Sequence, residues 1–295
     1  MAVDTYALTS LAKVKSWLGI GGTSDDAILE AAIDRASDII ESYCDRKFKQ
    51  RTFREFAQPG GERTFVLENS PIISVNTVAY GSAISFSVES DTASTDVVAT
   101  VGNDGSQLRL YKVASGGTTT ASTLAFSSYP TTSQLVSQIN SSVSGWTATA
   151  TANAYSYSLY QFAGRGVIDA PCNFEYPRDN VSEYRIDFQT GRIHIVADRF
   201  PGIRSDDAHV NRFPGGFFPV FVEYDAGFAT IPDDLEQVAI EIAADLYHER
   251  KQDRTVGSES LGDYNYSRIS VSDLLMARND KLQGYRDIKV GRSDR

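Results

Sequence analysis

The stretch Tyr224 to Arg254, YDAGFATIPDDLEQVAIEIAADLYHERKQDR, constrains the fold of this chain more than any other. Val220 to Tyr224 crowds aromatic and β-branched residues into a short run, which predicts a strand. Gly227 breaks it, Pro232 presets a helical φ, and Asp233 and Asp234 can cap free N–H groups. Leu235, Val238, Ala239, Ile242, Ala243 and Leu246 then recur at helical spacing. Ile240, Ala244 and Tyr247 form a second apolar stripe, so the helix must be covered on more than one side. Acidic residues sit at its positive end. His248, Arg250 and Lys251 sit at its negative end, each such match worth roughly 0.3–1 kcal/mol.

Upstream, residues 8–20 predict a helix capped by Thr9 or Ser10 and ended by Gly19. A longer helix follows, capped by Ser24 or Asp25, with Ile28, Ala32, Ala36, Ile39 or Ile40, and Tyr43 on one face. A DNA-reading helix-turn-helix would need Arg, Asn or Gln near the start of the second helix. Asp25, Asp26 and Glu30 stand there instead and would repel phosphate, which favours a helical layer on a core. Strands are expected at 52–56, 64–67 and 71–78, with a turn at Pro59-Gly60-Gly61.

From about residue 81 the composition shifts to Ser, Thr and Ala with short β-like runs. One helix is expected over 133–141, and strands over 146–150 and 155–160. Periodic apolar residues and Trp146 argue for a folded unit over a Ser/Thr linker. Tyr184–Phe188 and Arg192–Ile195 alternate around Gln189-Thr190-Gly191, a β-hairpin signal. Residues 197–216 predict a long loop, and Gly257–Gly262 a flexible exit. From Ala277 to Arg295 six basic residues face three acidic ones, a mildly basic tail on a chain of net charge −10.

The expected fold class is α+β. A helical core, made of the N-terminal helix pair and the long C-terminal helix, is accompanied by antiparallel β-strands and by an inserted small, mostly-β domain with one helix. The expected divisions are 1–80 with 164–260 as a discontinuous core domain, 81–163 as the insertion, and 261–295 as a C-terminal tail.

The chemistry of the sequence is sparse. His194, His209 and His248 lack the spacing of a helical zinc pair. No GxSxG elbow or phosphate-binding loop is present, and Gly19-Ile20-Gly21-Gly22 does not follow a strand, as a dinucleotide loop would. No catalytic, cofactor-binding or metal-binding residue is assigned, and no enzyme activity is expected. The acidic balance argues against broad phosphate binding. No apolar run approaches the roughly 20 residues of a membrane span, and MAVDTYALTS lacks the pattern of a secretory signal. Cys44 and Cys172 do not make a disulfide framework. Trp146, Tyr155, Tyr157 and Tyr160 could line an aromatic platform for a carbohydrate or capsid surface, or could pack a core.

Three stretches together resemble the head–tail connector (adaptor) proteins of long-tailed bacteriophages. LTSLAKVKSWLGIGGTSDDAILEAAIDRASDIIESYCDRKF is similar to that family's opening helix pair, SPIISVNTV to its following strand, and VEYDAGFATIPDDLEQVAIEIAADLYHER with Gly257–Ser267 to its closing strand, helix and exit. Residues 82–160 depart from the compact family pattern. The resemblance implies a structural virion protein in the neck. It would form a ring of identical subunits, twelve in number, that docks on the portal protein and receives the next neck or tail component, a stopper or tail terminator. Genomic DNA would pass an acidic lumen without sequence-specific binding. Carried onto this chain, the resemblance makes Ile269, Leu274, Leu275, Arg278, Leu282, Tyr285, Arg286 and Arg292 the expected portal-docking residues. Ile240, Ala244, Tyr247, Arg250, Tyr264 and Tyr266 become the expected subunit contacts, with packing of Ile240, Ala244 and Tyr247 against the chain's own N-terminal helices as the alternative.

Overall fold

The molecule pairs an antiparallel sheet with a helical layer that has its own apolar cluster, the two tied where Glu41 meets Arg51. A computed structural model describes residues 2–57, 64–91, 95–181, 184–195, 220–249, 258–261, 264–267 and 275–286. The central strand pair is β3 (Ile72–Tyr80) against β14 (Val220–Ala226), flanked by β1 (Arg51–Ala57) and the short β11 (Asp179–Asn180), in the order β1-β14-β3-β11. Val222 and Tyr224, fully buried on β14, supply the apolar face that the run of β-branched and aromatic residues foretold. β2 (Thr64–Val66), β12 (Tyr184–Asp187) and β13 (Arg192–Ile195) form a small neighbouring sheet. β12 and β13 are the expected hairpin, whereas β1 and β2 go to different sheets.

Three helices pack together beside this sheet. α1 (Leu11–Leu18) starts at Ser10, whose hydroxyl accepts from the Lys13 N–H, and ends at Gly19 with φ +68°. α2 (Asp26–Cys44) and α4 (Asp233–Glu249) bury Leu29, Ile33, Ala36 and Ile40 against Leu235, Val238, Ile242 and Ala243. The buried Glu41 carboxylate ties the end of α2 to β1. It accepts from the Phe48 N–H at 3.2 Å, from Arg51 at 3.1 Å and from Lys47 at 2.6 Å. Gly227 sits where β14 meets the Phe48–Lys49 backbone. Its φ is +104°, and a Cβ there would lie 2.7 Å from the Phe48 carbonyl oxygen, so only glycine fits.

A second group of elements runs from β4 (Ala83–Ser90) to β10 (Cys172–Tyr176). β4, β8 (Trp146–Ala150) and β10 make one sheet, in the order β10-β4-β8. β5 (Asp96–Asn103), β6 (Gln107–Ala114), β7 (Thr119–Ala125) and β9 (Phe162–Gly166) make another, in the order β7-β6-β5-β9. α3 (Thr132–Ser142) begins with a capping box between Thr131 and Gln134 and buries Leu135 and Ile139. The core is its own: Phe86 and Phe174 stack at 4.5 Å, with Val88, Val101, Leu108, Leu110 and Phe126 around them. Residues 155–160 are not the expected strand. They hold a single 3-10 turn, Ser156–Ser158, whose hydroxyls bond the carbonyls of Tyr129 and Tyr155.

The expectation of a helical core organised by a long C-terminal helix is overturned. Among the described residues there are sixteen strands in five antiparallel sheets, against five helices. The helices fill one of three separate apolar clusters, and the other two lie within and between sheets. The apolar stripes of α2 and α4 are dense in sequence. The strands dilute the same apolar content among Ser and Thr, so the helices dominate a reading by periodicity without dominating the fold.

β15 (Ser258–Leu261) and β16 (Tyr264–Ser267) form a separate two-stranded sheet. The chain then returns as α5 (Asn279–Leu282) followed by a 3-10 turn, Gln283–Tyr285. The expected turn at 59–61 and the loop at 197–216 lie outside the described residues; of the exit at 257–262, expected to be flexible, residues 258–261 form β15, and 257 and 262 lie outside the described residues.

Candidate docking surface

The returning segment, residues 275–286, lies on the helical layer through side chains of complementary type. On α4, Asp234, Glu241 and Asp245 are spaced by seven and four residues, which places them along one face. Arg278 donates to Glu241 at 2.9 Å and to Asp245 at 2.7 Å, and Lys281 reaches Glu241 at 3.3 Å. The Tyr285 hydroxyl donates to Asp234 at 2.6 Å, and that of Tyr43 to the Asn279 side-chain carbonyl at 2.6 Å. Leu282 is 0% exposed within the helical cluster, and Leu275 packs against the same cluster half-buried. The Tyr285 ring meets Phe48 edge-on at 5.8 Å and Phe228 at 6.4 Å, and Arg286 lies over Tyr43 at 5.6 Å.

Electrostatics follow this geometry. Burial opposes ionisation of Glu241, but hydrogen bonds from Gln237, Arg278 and Lys281 outweigh it and hold its carboxyl below the ordinary range. Burial, reinforced by the bond to Asp234, pushes the Tyr285 phenol up to about 12.

This placement bears directly on the expected docking residues. Arg278, Leu282 and Tyr285 are engaged by their own chain, and Leu282 has no surface left for a partner in this conformation. Arg286 is exposed beyond its contact with Tyr43, and Met276 beside Leu275 is 69% exposed. Ile269, Leu274 and Arg292 lie outside the described residues. Of the expected subunit contacts, Ile240, Ala244 and Tyr247 are buried within the chain itself. Ile240 and Tyr247 belong to the helical cluster, and the Tyr247 hydroxyl donates to Asp25 at 2.5 Å. The second stripe of α4 therefore meets its own chain. Arg250 lies outside the described residues. Tyr264 and Tyr266 fall in β16, where only the backbone course is described.

Sequence reasoning missed the acceptor side: Tyr43, Phe48, Phe228, Asp234, Glu241 and Asp245. The available signal was a row of carboxylates on one face of α4, matched by a basic, leucine-bearing tail. Beside the segment, a cleft of about 360 Å³ is lined by Trp17, Leu18, Glu241, Ala244, Asp245, His248 and Arg278, with Trp17 57% exposed at its rim.

The aromatic platform is not assembled. Trp146 is 3% exposed in the core of the second group, with Lys112 5.9 Å from its ring centroid. The three tyrosines face the first sheet instead. Arg54 lies 4.2 Å from the Tyr157 ring and 5.7 Å from the Tyr155 ring while pairing with Glu223 at 2.6 Å. Tyr160 packs on Phe56 at 5.5 Å and donates to the Gly81 carbonyl. Among the described residues no three His, Cys, Asp or Glu side chains cluster as metal ligands, and no helix is long and apolar enough to cross a membrane.

Comparison with known families bears on the N-terminal third. Residues 8–103, from the loop before α1 through β5, match the sequence profile of the phage gp6-like head–tail connector protein. This part of the chain is similar in sequence to a head–tail connector. The match covers the two stretches that carry the resemblance there, the helix pair and β3, and runs on into β4 and β5. No curated protein matches the chain. Among solved structures, the chain is similar to one from the neck of an empty GTA particle computed with C6 symmetry. The identity is 14%, with 99% of this chain and 97% of that chain covered, at a TM-score of 0.42. It is similar also to chains from the virion of a native gene transfer agent particle and from the neck of the native particle computed with C12 symmetry. Each is 16% identical, with 99% and 96% covered, at a TM-score of 0.41.

Proposed function

We propose that this protein is a structural adaptor of a phage-type virion neck, a ring of identical subunits that joins a DNA-filled capsid to the tail. The match of residues 8–103 to the head–tail connector family carries this reading. Twelve subunits would dock on the portal protein and present their other side to a stopper or tail terminator. The role is mechanical and requires no cofactor. The chain's net charge of −10 would let DNA pass the lumen without adhering.

The portal-facing part in this reading is the C-terminal segment, Ile269 to Arg295, with its residues dividing the work. Leu282, Tyr285 and Arg278 seat the segment on the body. Met276, which is exposed, and the exposed part of Arg286 beyond its contact with Tyr43 are the portion left to meet the portal. Domain organisation follows the strand pairing. The connector core comprises residues 1–80 and the chain from about 177 onward, and the second β-rich unit is inserted between them. An edge near Tyr176 in place of residue 163 is supported by the pairing of β9 and β10 with β5 and β4.

Mass measurement of the purified protein, alone and mixed with its portal, tests the reading. A ring, or a stable complex with the portal, is expected. A monomer with no affinity for the portal would overturn it.

A further inference from the structure

We propose that the 275–286 segment is exchanged between neighbouring copies, each subunit's segment seating on the α2–α4 surface of the next. This rests on the ring reading above.

The acceptor surface is built for one kind of occupant. Asp234, Glu241 and Asp245 line one face of α4 and take a tyrosine hydroxyl, a guanidinium and an ammonium. Phe48, Phe228 and Tyr43 supply an aromatic wall, and the helical cluster takes Leu282 whole. Every one of these contacts forms equally well with a segment from a second copy, because exchange between identical chains conserves its contacts.

The connecting chain is far longer than closure within one subunit requires. Arg278 pairs with Asp245, four residues before the end of α4, a distance of about 6 Å along the helix. Twenty-five residues, 250–274, separate Glu249 from Leu275. Counting the β15–β16 hairpin as having no length, fifteen residues remain, with a reach of roughly 50 Å. A folded chain of this size is itself on the order of 50 Å across. The connection is therefore long enough to span about the width of one subunit. Lengthening a loop adds little closure entropy, since each doubling costs only about 0.6 kcal/mol. The surplus length is therefore tolerated in a free subunit and becomes useful in a ring. Exchange would fasten each subunit to the next by a continuous peptide in addition to surface contact.

The test uses the unaltered protein. Subunits grown in light and in nitrogen-15 medium are mixed before assembly, and the mass of the assembled product is measured. The Lys281–Glu241 ion pair is then joined by a zero-length carbodiimide cross-link, and the linked peptides are read by mass spectrometry. Exchange predicts that about half of the linked pairs combine a light and a heavy peptide, as random mixing of identical subunits requires. A ring of the expected mass whose linked pairs are all light–light or heavy–heavy overturns the exchange and leaves the ring reading standing. A monomeric product overturns both. As a second readout, the same Lys281–Glu241 cross-link should give covalent multimers of the ring on a denaturing gel, and internally linked monomers alone would count against exchange.

Discussion

The helical layer and the second β-rich region solve the same problem with different materials. The helical layer closes on itself with ionised groups at its rim: Lys13 with Glu236, Lys15 with Asp26, and Arg278 with Glu241 and Asp245. The region from β4 to β10 has few charges. It is held by the stacked Phe86–Phe174 pair and by hydroxyls turned inward: Ser85 bonds Thr132 at 2.8 Å, and Ser156 bonds the Tyr129 carbonyl at 2.7 Å. One region can be loosened by changing pH or salt, because its outermost layer is electrostatic. The other responds chiefly to loss of packing.

The largest effect that would sharpen this contrast is Phe174→Ala. Removing half of a buried stacked pair should cost about 3–5 kcal/mol. Urea unfolding followed by hydrogen exchange should show the loss confined to residues between β4 and β10. Equal loss of protection in α2 and α4 would show that the two regions unfold as one. Next comes Leu282→Ala, expected to cost about 2–4 kcal/mol at a fully buried site. Here the readout is faster exchange in 275–286 with the second region unchanged.

Arg278→Ala follows, at about 1 kcal/mol after allowing for solvent screening of its partly exposed partners. Acid should mimic it. Glu241 is held below its ordinary range in the folded chain, so its contribution is complete above about pH 4.5 and is lost as pH falls through the folded value. Exchange in 275–286 should therefore rise below about pH 4 while the Phe86–Phe174 core stays protected. Unchanged protection down to pH 3 would show that Leu282 and Tyr285 alone hold the segment. The smallest effect is expected for Arg54→Ala, about 0.5 kcal/mol for a guanidinium over Tyr157. It should loosen the join between the two regions without unfolding either, seen as increased protease access near Tyr155–Tyr160.

The same contrast explains what could be read in the sequence. Helices α1, α2 and α4 announce themselves because caps and apolar stripes repeat within one element, as Ser10 and Gly19 show for α1. The β12–β13 hairpin is legible for the same reason. Sheet partners are not local. Nothing near Arg51 says that β1 pairs with β14, about 170 residues away, and nothing near Phe162 says that β9 returns to β5. The tail was legible as basic and leucine-bearing, but its acceptor was not. Asp234, Glu241 and Asp245 become a site only when a segment some forty residues later folds back. Tyr155, Tyr157 and Tyr160 show the limit in the other direction: exposed-looking aromatics in sequence are the packing between two sheets in the fold.

The join between the two regions has a mechanical consequence. The chain crosses it twice, and the crossings run side by side: Tyr80 opposes Asp179 on the first sheet, and Ala83 opposes Tyr176 just beyond. Gly81, with φ +80°, turns the ribbon between them. A single crossing would be a swivel. Two paired strands resist twisting and bend about one axis, so the second region behaves as a hinged arm whose rotation is limited. A pull along that arm loads β3 along its length against β14, where the backbone hydrogen bonds share the force together. The join should therefore yield by bending long before it parts.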